Sequence, residues 1–315
     1  MIRRYGGARE VVETALTNQT VFNIRRAVAQ DRDTVLAFCA HTFEWGDYLP
    51  EVWEQWLADE KGQFLVATQD DVPVGVAKVT LLTPSEAWLE GLRVDPQHRH
   101  AGLGWQFQTA CLEVARRSGA DVARLATGSK NLAVHKMAER SGMRRVAAAW
   151  PLEARALASA EGITSLSPLA MGDWRQASTR ILQGSTLAAL HGLYGAGWTW
   201  QAMTADKLRA HLQRGEVLAL REGEAESAAV AITLDPDPIN KSLPVAYVDG
   251  SAPRAQDLAL ALRHCAAALR LKKVEAMLPA ASPLCQAFLQ AGYRPELEVD
   301  GAIWIYETTW KGAAT

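Results

Sequence analysis

Apolar side chains recur at even spacing between residues 88 and 94. Trp88, Leu92 and Val94 would share one face of a strand, with Glu90 between them. This alternation predicts a β-strand that carries one carboxylate among its apolar residues.

From Leu103 onward the apolar period changes to three and four residues, which predicts a helix that ends at Gly119. The segment Arg99-x-x-Gly102-x-Gly104 lies between that helix and the strand before it. Glycines let a ligand approach the main chain, and the open N–H groups of a helix start carry partial positive charge. We therefore expect the junction to hold the phosphates of a cofactor. The Rossmann fingerprint has a third glycine and the Walker loop has Gly-Lys-Ser/Thr, and this segment has neither.

The second half of the chain repeats the predicted elements of the first. The matched pairs are a hairpin at 64–84 and 217–236, a strand at 88–94 and 245–248, a helix from residue 103 and from 257, a strand at 122–127 and 274–278, and a helix at 132–141 and 283–290. Strands interleaved with helices predict an α/β structure with a mixed sheet and helices on its faces.

The two halves differ at the junction after the matched strand. Val248 is followed by Asp249-Gly250-Ser251, and the two helix-opening glycines are missing. We therefore predict one cofactor site, formed by the first half, with the second half as a scaffold or a pocket wall.

The second half ends in two predicted strands, at 294–299 and 302–310, whereas the first half offers only 144–155. The first sheet would therefore lack its last strand or borrow it from the other half. A borrowed strand would make the two sheets depend on each other.

Length, charge and composition indicate which partners and cofactors the protein is expected to have. The chain has 315 residues, which suits two domains, and its net charge of −2 gives no electrostatic support for a nucleic-acid partner. Four scattered cysteines and the lack of a long apolar run predict a cytoplasmic protein with reduced thiols and no membrane partner. The histidines show no metal-ligand spacing, so we predict no metal.

Three motifs occur in the order found in one large family. They are Ile24-Arg25-Arg26-Ala27 with Asp31, the loop Arg99-x-x-Gly102-x-Gly104, and Asn131 followed by Glu139, Gly142 and Met143. Together they resemble the GNAT acetyltransferase superfamily, in a tandem arrangement with a degenerate second copy. The resemblance implies two tandem GNAT-like domains, each a mixed, mostly antiparallel sheet flanked by helices. The expected limits are an extension at 1–21, a GNAT domain at 22–158 and a degenerate domain at 159–315.

The resemblance also implies acetyl-CoA as the cofactor. It assigns the pyrophosphate to the backbone amides of the loop, the pantetheine arm to Val94, and the polarised thioester carbonyl to the backbone amide of Leu92. The cofactor-binding residues that it implies are Val94, Arg99, His100, Ala101, Gly102, Leu103, Gly104, Trp105 and Asn131.

An amine acceptor must lose a proton before it attacks, and a carboxylate can take that proton directly or through water. Glu90 is the candidate base, because it lies on the strand that would carry the thioester. Relatives often place the base near the position of Trp88, so Glu86 remains an alternative. Glu90 would otherwise be a solvated strand carboxylate.

Relatives often carry a tyrosine acid seven residues after the asparagine, where this chain has Ala138. The leaving thiolate would then be protonated by another group or by solvent. His135 is near in sequence, but a lone histidine on a helix is more often a surface residue.

Aromatic and acidic residues follow the first predicted helix. Trp45, Asp47 and Tyr48 are the candidate acceptor-binding residues, because aromatic faces and carboxylates suit a cationic amine. Trp53 and Trp56 recur at helical spacing, so we expect them in the core.

The leading hypothesis is an N-acetyltransferase that moves an acetyl group from acetyl-CoA to the amine of a small molecule by direct attack. One alternative is a non-catalytic acyl-CoA-binding or regulatory module. Another is an aminoacyl or peptidyl transferase, which the lack of net positive charge disfavours because such enzymes bind a charged tRNA. We expect a monomer or a homodimer.

Overall fold

The computed structural model describes residues 22–43, 46–158, 165–222, 226–296 and 301–310. The helices are α1 (Arg32–Cys39), α2 (Leu49–Leu57), α3 (Leu103–Arg117), α4 (Leu132–Arg140), α5 (Trp174–Leu182), α6 (Ser185–Ala189), α7 (Ala205–Gln213), α8 (Ala252–Ala268) and α9 (Pro283–Gln290). The strands are β1 (Asn23–Arg26), β2 (Gln63–Gln69), β3 (Val72–Thr83), β4 (Glu86–Val94), β5 (Val122–Gly128), β6 (Arg144–Arg155), β7 (Leu166–Pro168), β8 (Leu193–Ala196), β9 (Thr199–Ala202), β10 (Val217–Glu222), β11 (Glu226–Thr233), β12 (Ser242–Gly250), β13 (Lys273–Pro279), β14 (Arg294–Pro295) and β15 (Ile303–Thr309).

One mixed sheet runs through both halves. Its order is β1-β2-β3-β4-β5-β15-β6-β13-β12-β11-β10-β7, with β14 on β6, and the hairpin β8–β9 stands apart from it. Its parallel pairs are β4–β5 and β12–β13, and the other neighbours are antiparallel. The expected mixed, mostly antiparallel sheet with flanking helices is thus present, but the halves share one sheet.

β15, the last strand among the described residues, completes the sheet of the first half. β15 lies between β5 and β6, and Ile303 is paired with Gly128 on one side and Ala149 on the other. β6 also continues outward to pair with β13, so Arg155 lies opposite Lys273. The borrowed strand is therefore real, and each half contributes a strand to the other's side of the sheet.

Helices cover both faces of the first half. α1 and α2 pack on one face, where Val35, Trp53 and Trp56 form a cluster with Phe64. Both tryptophans are thus core residues, as expected. α3 and α4 cover the other face through a second cluster, to which Phe107 belongs.

The structure corrects the predicted face of β4. Trp88 packs with the β8–β9 hairpin, whereas Leu92 and Val94 pack on the α3 side. The cause is a β-bulge, since Lys78 pairs with Glu90 whereas Val76 pairs with Arg93. An extra residue in one strand reverses the alternation of every residue beyond it.

Two predicted boundaries in the second half also change. The helix expected from Asp257 begins at Ala252, because Pro253 falls in the first turn, where its missing N–H costs no hydrogen bond. The strand expected at 294–299 is described only as the two residues of β14, and residues 297–300 lie outside the described residues.

The four cysteines are free, and burial raises the pKa of the Cys39 and Cys111 thiols to about 12. Within the described ranges, no helix combines the length and the apolar character that a membrane span requires. The expected N-terminal extension at 1–21 lies outside the described residues.

Candidate active site

The two parallel strands of the first half separate. β4 and β5 pair only where residues 86–88 of β4 face residues 122–124 of β5. Beyond this point a cavity of about 1780 Å³ opens, lined by residues 89–93 of β4 and 125–128 of β5. Phe107 of α3 and Met137 of α4 line it as well. Loss of pairing between two neighbouring strands thus creates an opening through the sheet.

The predicted phosphate loop leads into α3 beside this cavity. Gly102 is the N-cap of α3 with a left-handed φ of +83°, and no side chain caps the helix. His100 also has a positive φ, of +66°. A Cβ at Gly104 would have Met137 Sδ, 3.7 Å away, as its nearest neighbour, so room remains in front of the first turn. Uncapped amides at an open helix start are suited to a phosphate group.

Asn131 lines the cavity from the start of α4. Its Oδ1 accepts a hydrogen bond from the backbone N–H of Val134 at 3.3 Å, and its Nδ2 donates to Thr127 Oγ1 at 3.1 Å. The side chain therefore caps α4 and ties it to the end of β5.

His135 is buried, which differs from the surface position expected of a lone helix histidine. Its Nε2 lies 3.1 Å from the carbonyl oxygen of Ser129, and its Nδ1 lies 3.1 Å from the hydroxyl of Tyr306. Its ring centroid is 4.4 Å from that of Trp304. Both aromatic residues belong to β15, so the borrowed strand holds the first turns of α4. Ala138 lies in the same core, fully buried.

Glu90 points to the α2 side of the sheet and lines the cavity. Thr80 Oγ1 donates a hydrogen bond to Glu90 Oε1 at 2.5 Å. Burial raises the pKa of the Glu90 carboxyl, although the Thr80 hydrogen bond and the charge of Lys78 act in the opposite direction. Glu90 is thus a partly buried carboxylate with raised proton affinity, next to the bulge.

The bulge itself depends on Gly91. Its φ is +68°, and an added Cβ would lie 2.5 Å from Trp56 Cη2. Only glycine accepts both the left-handed backbone and the approach of the indole. Trp56 therefore fixes the course of the chain between Glu90 and Leu92.

Glu86 is built into a buried ionic network. Arg124 Nη1 lies 2.7 Å from its carboxylate, and Lys207 Nζ and the backbone N–H of Ala202 lie 3.0 Å from it. Arg124 also contacts Glu307 of β15 at 2.7 Å. Burial acts to raise the pKa of Glu86, but the hydrogen bonds from Ala202 and Lys207 outweigh it and lower the pKa. Glu86 therefore joins the two halves as an ionised group.

The candidate acceptor residues are arranged around Arg93. Asp47 binds the Arg93 guanidinium at 2.7 Å, and the guanidinium carbon lies 5.0 Å from the Phe43 ring centroid and 5.2 Å from that of Tyr48. Tyr48 lines the cavity, whereas the charge of Asp47 is neutralised by an internal partner. Trp45 lies outside the described residues.

Sequence reasoning missed Arg93 and Thr80. Arg93 and Asp47 are opposite charges separated by 46 positions in the sequence, so no local spacing relates them. Thr80 lies in a strand, where threonine is common, so its residue type gives no sign of a role in the site. The tip of the β8–β9 hairpin also reaches this site, with Trp198 in the cavity wall.

A comparison with known proteins identifies the first half. Residues 34–143 match the model of the acetyltransferase (GNAT) family. These residues form a GNAT domain. The match includes the open strand pair, the bulge and the uncapped start of α3.

Two named relatives align with parts of the chain. "Probable N-acetyltransferase 16" of Homo sapiens is 27% identical over 124 residues, which cover 37% of this chain and 34% of the relative. "Histidine N-acetyltransferase" of Oreochromis niloticus is 29% identical over 91 residues, which cover 29% of this chain and 27% of the relative. The chain thus spans about a third or less of the length of these relatives.

Solved structures resemble the whole chain. A GCN5-related N-acetyltransferase from Sphaerobacter thermophilus has a TM-score of 0.61 at 14% identity and covers 91% of this chain and 95% of its own. A tandem GNAT protein from the clavulanic acid biosynthesis pathway has a TM-score of 0.55 at 13% identity and covers 92% of this chain and 98% of its own. These likenesses show that the fold of nearly the whole chain is shared with these structures.

Proposed function

We propose that the GNAT domain, completed by β15, is an N-acetyltransferase that moves an acetyl group from acetyl-CoA to the amine of a small molecule. The observation that carries this proposal is the cavity that crosses the sheet between β4 and β5. It joins the α3–α4 face, where the phosphate loop begins α3, to the opposite face, where Glu90 lies. Two reactants can thus approach one point from opposite sides of the sheet.

The residues present fit the cofactor. Gly102 and Gly104 leave the amides of α3 open to a pyrophosphate, and Arg99 and His100 add cationic or polar groups beside them. Val94 on β4 and Asn131 at the start of α4 would hold the pantetheine arm of the cofactor. Bound acetyl-CoA would supply the acetyl group as a thioester. The backbone N–H of Leu92, next to the extra residue of the bulge, is our candidate donor to the thioester oxygen as negative charge develops there.

Glu90 is our candidate base. Its raised pKa makes it a stronger proton acceptor than an ordinary glutamate. It lies on the α2 side of the sheet, which we propose as the face that the acceptor approaches. It would take the proton that the attacking amine releases as the nitrogen–carbon bond forms. Glu86 is a poor base, because three donors already occupy its carboxylate and lower its pKa.

One observation favours a non-catalytic acyl-CoA-binding role instead. Relatives in this family often have a tyrosine acid at the position of Ala138, which is fully buried here. In the catalytic proposal, solvent in the open cavity protonates the leaving thiolate.

The remaining proposals concern the protein as a whole. We propose that the site-bearing unit is residues 22–158, that residues 159–315 form the degenerate copy, and that the chain is a cytoplasmic monomer or homodimer. The free thiols suit a reducing compartment.

Calorimetry with acetyl-CoA, followed by assay of coenzyme A release with a panel of small amines, tests the proposed function. The panel includes histidine, because one relative is named for that acceptor. We expect one acetyl-CoA site per chain, amine-dependent release, and an acetylated product by mass spectrometry. Binding without release above background for every amine would favour the binding module. No binding would contradict both.

A further inference from the structure

The cavity does not end at the first half. Beyond Glu90 its wall continues onto Trp198 and Thr199, at the tip of the β8–β9 hairpin, and onto Asp237 and Asn240 before β12. The acceptor face of the sheet is therefore enclosed by residues of both halves.

The base of the hairpin is firmly held. Trp200 is fully buried beside Trp88 of β4, and the ring of Trp200 lies 3.0 Å from the position that a Cβ of Gly195 would take. The backbone N–H of Ala202 donates to Glu86. The hairpin thus has a fixed position on the sheet of the GNAT domain.

The tip of the β8–β9 hairpin is exposed, unlike its buried base. Trp198 is 43% exposed although it is a large aromatic residue, and it lines the cavity. Phe43, which lines the cavity from the first half, is 42% exposed. An indole that a rigid support holds in an open cavity is available to stack on a ligand ring at little entropic cost.

The charge of the wall is consistent with an amine. Asp237 accepts hydrogen bonds from the backbone N–H groups of Ile239 and Asn240 and from Asn240 Nδ2. These donors are neutral, and the one cation that acts on Asp237, Lys273, is itself bound by Glu153 at 3.0 Å and by Glu275 at 2.6 Å. Negative charge is therefore in excess at this part of the wall, and it attracts an ammonium group.

We propose that the second half selects the acceptor, and that Trp198 stacks on an aromatic ring carried by the acceptor amine. This inference rests on the proposed function, because it names the class of acceptor for the same site. Trp198 would act on binding of the acceptor only, since cofactor binding and proton removal depend on the GNAT domain.

The test compares steady-state acetylation of phenethylamine and histamine with that of propylamine, which has no ring. We expect the aromatic amines to have the lower KM. Trp198→Ala should raise their KM about 3- to 10-fold, the range typical of a stacked aromatic pair, with kcat and the Kd for acetyl-CoA unchanged. Trp198→Phe should restore most of the loss, and the KM for propylamine should not change.

Leu269→Ala is the matched control, because Leu269 is another exposed apolar residue, 51% exposed, at the end of α8. Unchanged KM values for the aromatic amines in Trp198→Ala would overturn the inference, as would an equal rise for propylamine. Wild-type protein that binds acetyl-CoA and acetylates no amine would instead contradict the proposed function.

Discussion

The two halves place different residues at the same kind of junction. In the first half, Gly102 starts α3 with a left-handed backbone and no side-chain cap. In the second half, Ser251 starts α8 with an extended backbone, and Pro253 fills the first turn. A ligand phosphate can approach the first helix start, whereas a proline ring and an ordinary Cβ occupy the second. The difference shows how a repeated scaffold keeps a helix while losing an anion site.

The space between the two helices that follow the junction also differs between the halves. In the second half, Phe288 and Tyr293 pack with ring centroids 4.7 Å apart, and the Tyr293 hydroxyl donates to the carbonyl oxygen of Ala259 on α8. In the first half, the corresponding helices α3 and α4 line an open cavity. Core side chains therefore fill the space between α8 and α9 in the second half, whereas the space between α3 and α4 remains open in the first.

The largest expected effect tests whether the chemistry belongs to the first half. Glu90→Gln should lower kcat about 10²- to 10⁴-fold, because a general base is lost, with little change in the Kd for acetyl-CoA. In the wild type, kcat/KM should fall with falling pH as Glu90 becomes protonated, at a pKa above the ordinary value of 4.5. The variant should lack this acidic limb. Glu113→Gln, on the exposed surface of α3, is the control, and a variant with wild-type turnover would remove Glu90 from the mechanism.

The next effect concerns the network that joins the halves. Glu86→Gln should lower the free energy of unfolding by about 3–5 kcal/mol, because Arg124 and Lys207 lose a buried counter-charge. Chemical denaturation measures this loss. Asp206→Asn, which breaks an exposed ion pair with Arg209, should cost less than about 1 kcal/mol.

The same network predicts a direction of pH dependence. The pKa of Glu86 is lower in the folded protein than the ordinary value of 4.5, so its contribution is complete above that value. It is lost as the pH falls below 4.5 and through the folded-state pKa. Wild-type and Glu86→Gln stabilities should therefore converge in acid, and a constant difference across this range would contradict the ionised network.

A smaller effect compares the two helix starts directly. Gly102→Ala should weaken acetyl-CoA binding roughly tenfold, because a Cβ disfavours the left-handed backbone that presents the amides. Gly119→Ala, at the other end of α3 with a φ of +87° and no atom within 4 Å, should cost similar stability without affecting binding. Ser251→Ala in the second half should change neither, since its side chain makes no capping hydrogen bond. Equal loss of binding in all three variants would mean that the loop is not the phosphate site.

The smallest effect tests how β15 supports α4. Tyr306→Phe removes the hydroxyl that contacts His135 and should cost about 0.5–1.5 kcal/mol of stability. We also expect the KM for acetyl-CoA to rise two- to threefold with kcat unchanged, roughly the effect of half a kcal/mol. Tyr293→Phe, which removes a buried hydroxyl of the second half, should cost similar stability and leave KM alone.

Local patterns in the sequence carried most of the element assignments. The bounds of α3 follow from apolar periodicity ending at Gly119, and α9 follows from Ser282 and Pro283 at its start. The repeat itself predicted two similar halves. The signals for single elements lie among neighbouring residues, whereas the repeat was recognised by comparing the two halves of the chain.

Contacts between residues that are distant in the sequence could not be predicted from such local patterns. The bulge at Gly91 reverses the face of Leu92 and Val94, and the indole of Trp56 on α2 packs closely against it. The pairing of Asp47 with Arg93 likewise depends on how separate segments pack. The candidate base was found because it lies on the predicted strand, but the partners that raise or lower its proton affinity were not.

The position of β15 has a consequence for how the protein is made. Arg124 and Glu307 lie 183 residues apart, so the sheet of the first half cannot close until β15 has left the ribosome. Such distant pairing slows folding and leaves the edges of β5 and β6 open to wrong partners in the meantime. The two halves of the gene must also be inherited together, because the sheet of the first half needs β15 from the second. A truncated chain without β15 would lose the site of the first half. A gene rearrangement that separates the two halves would have the same effect.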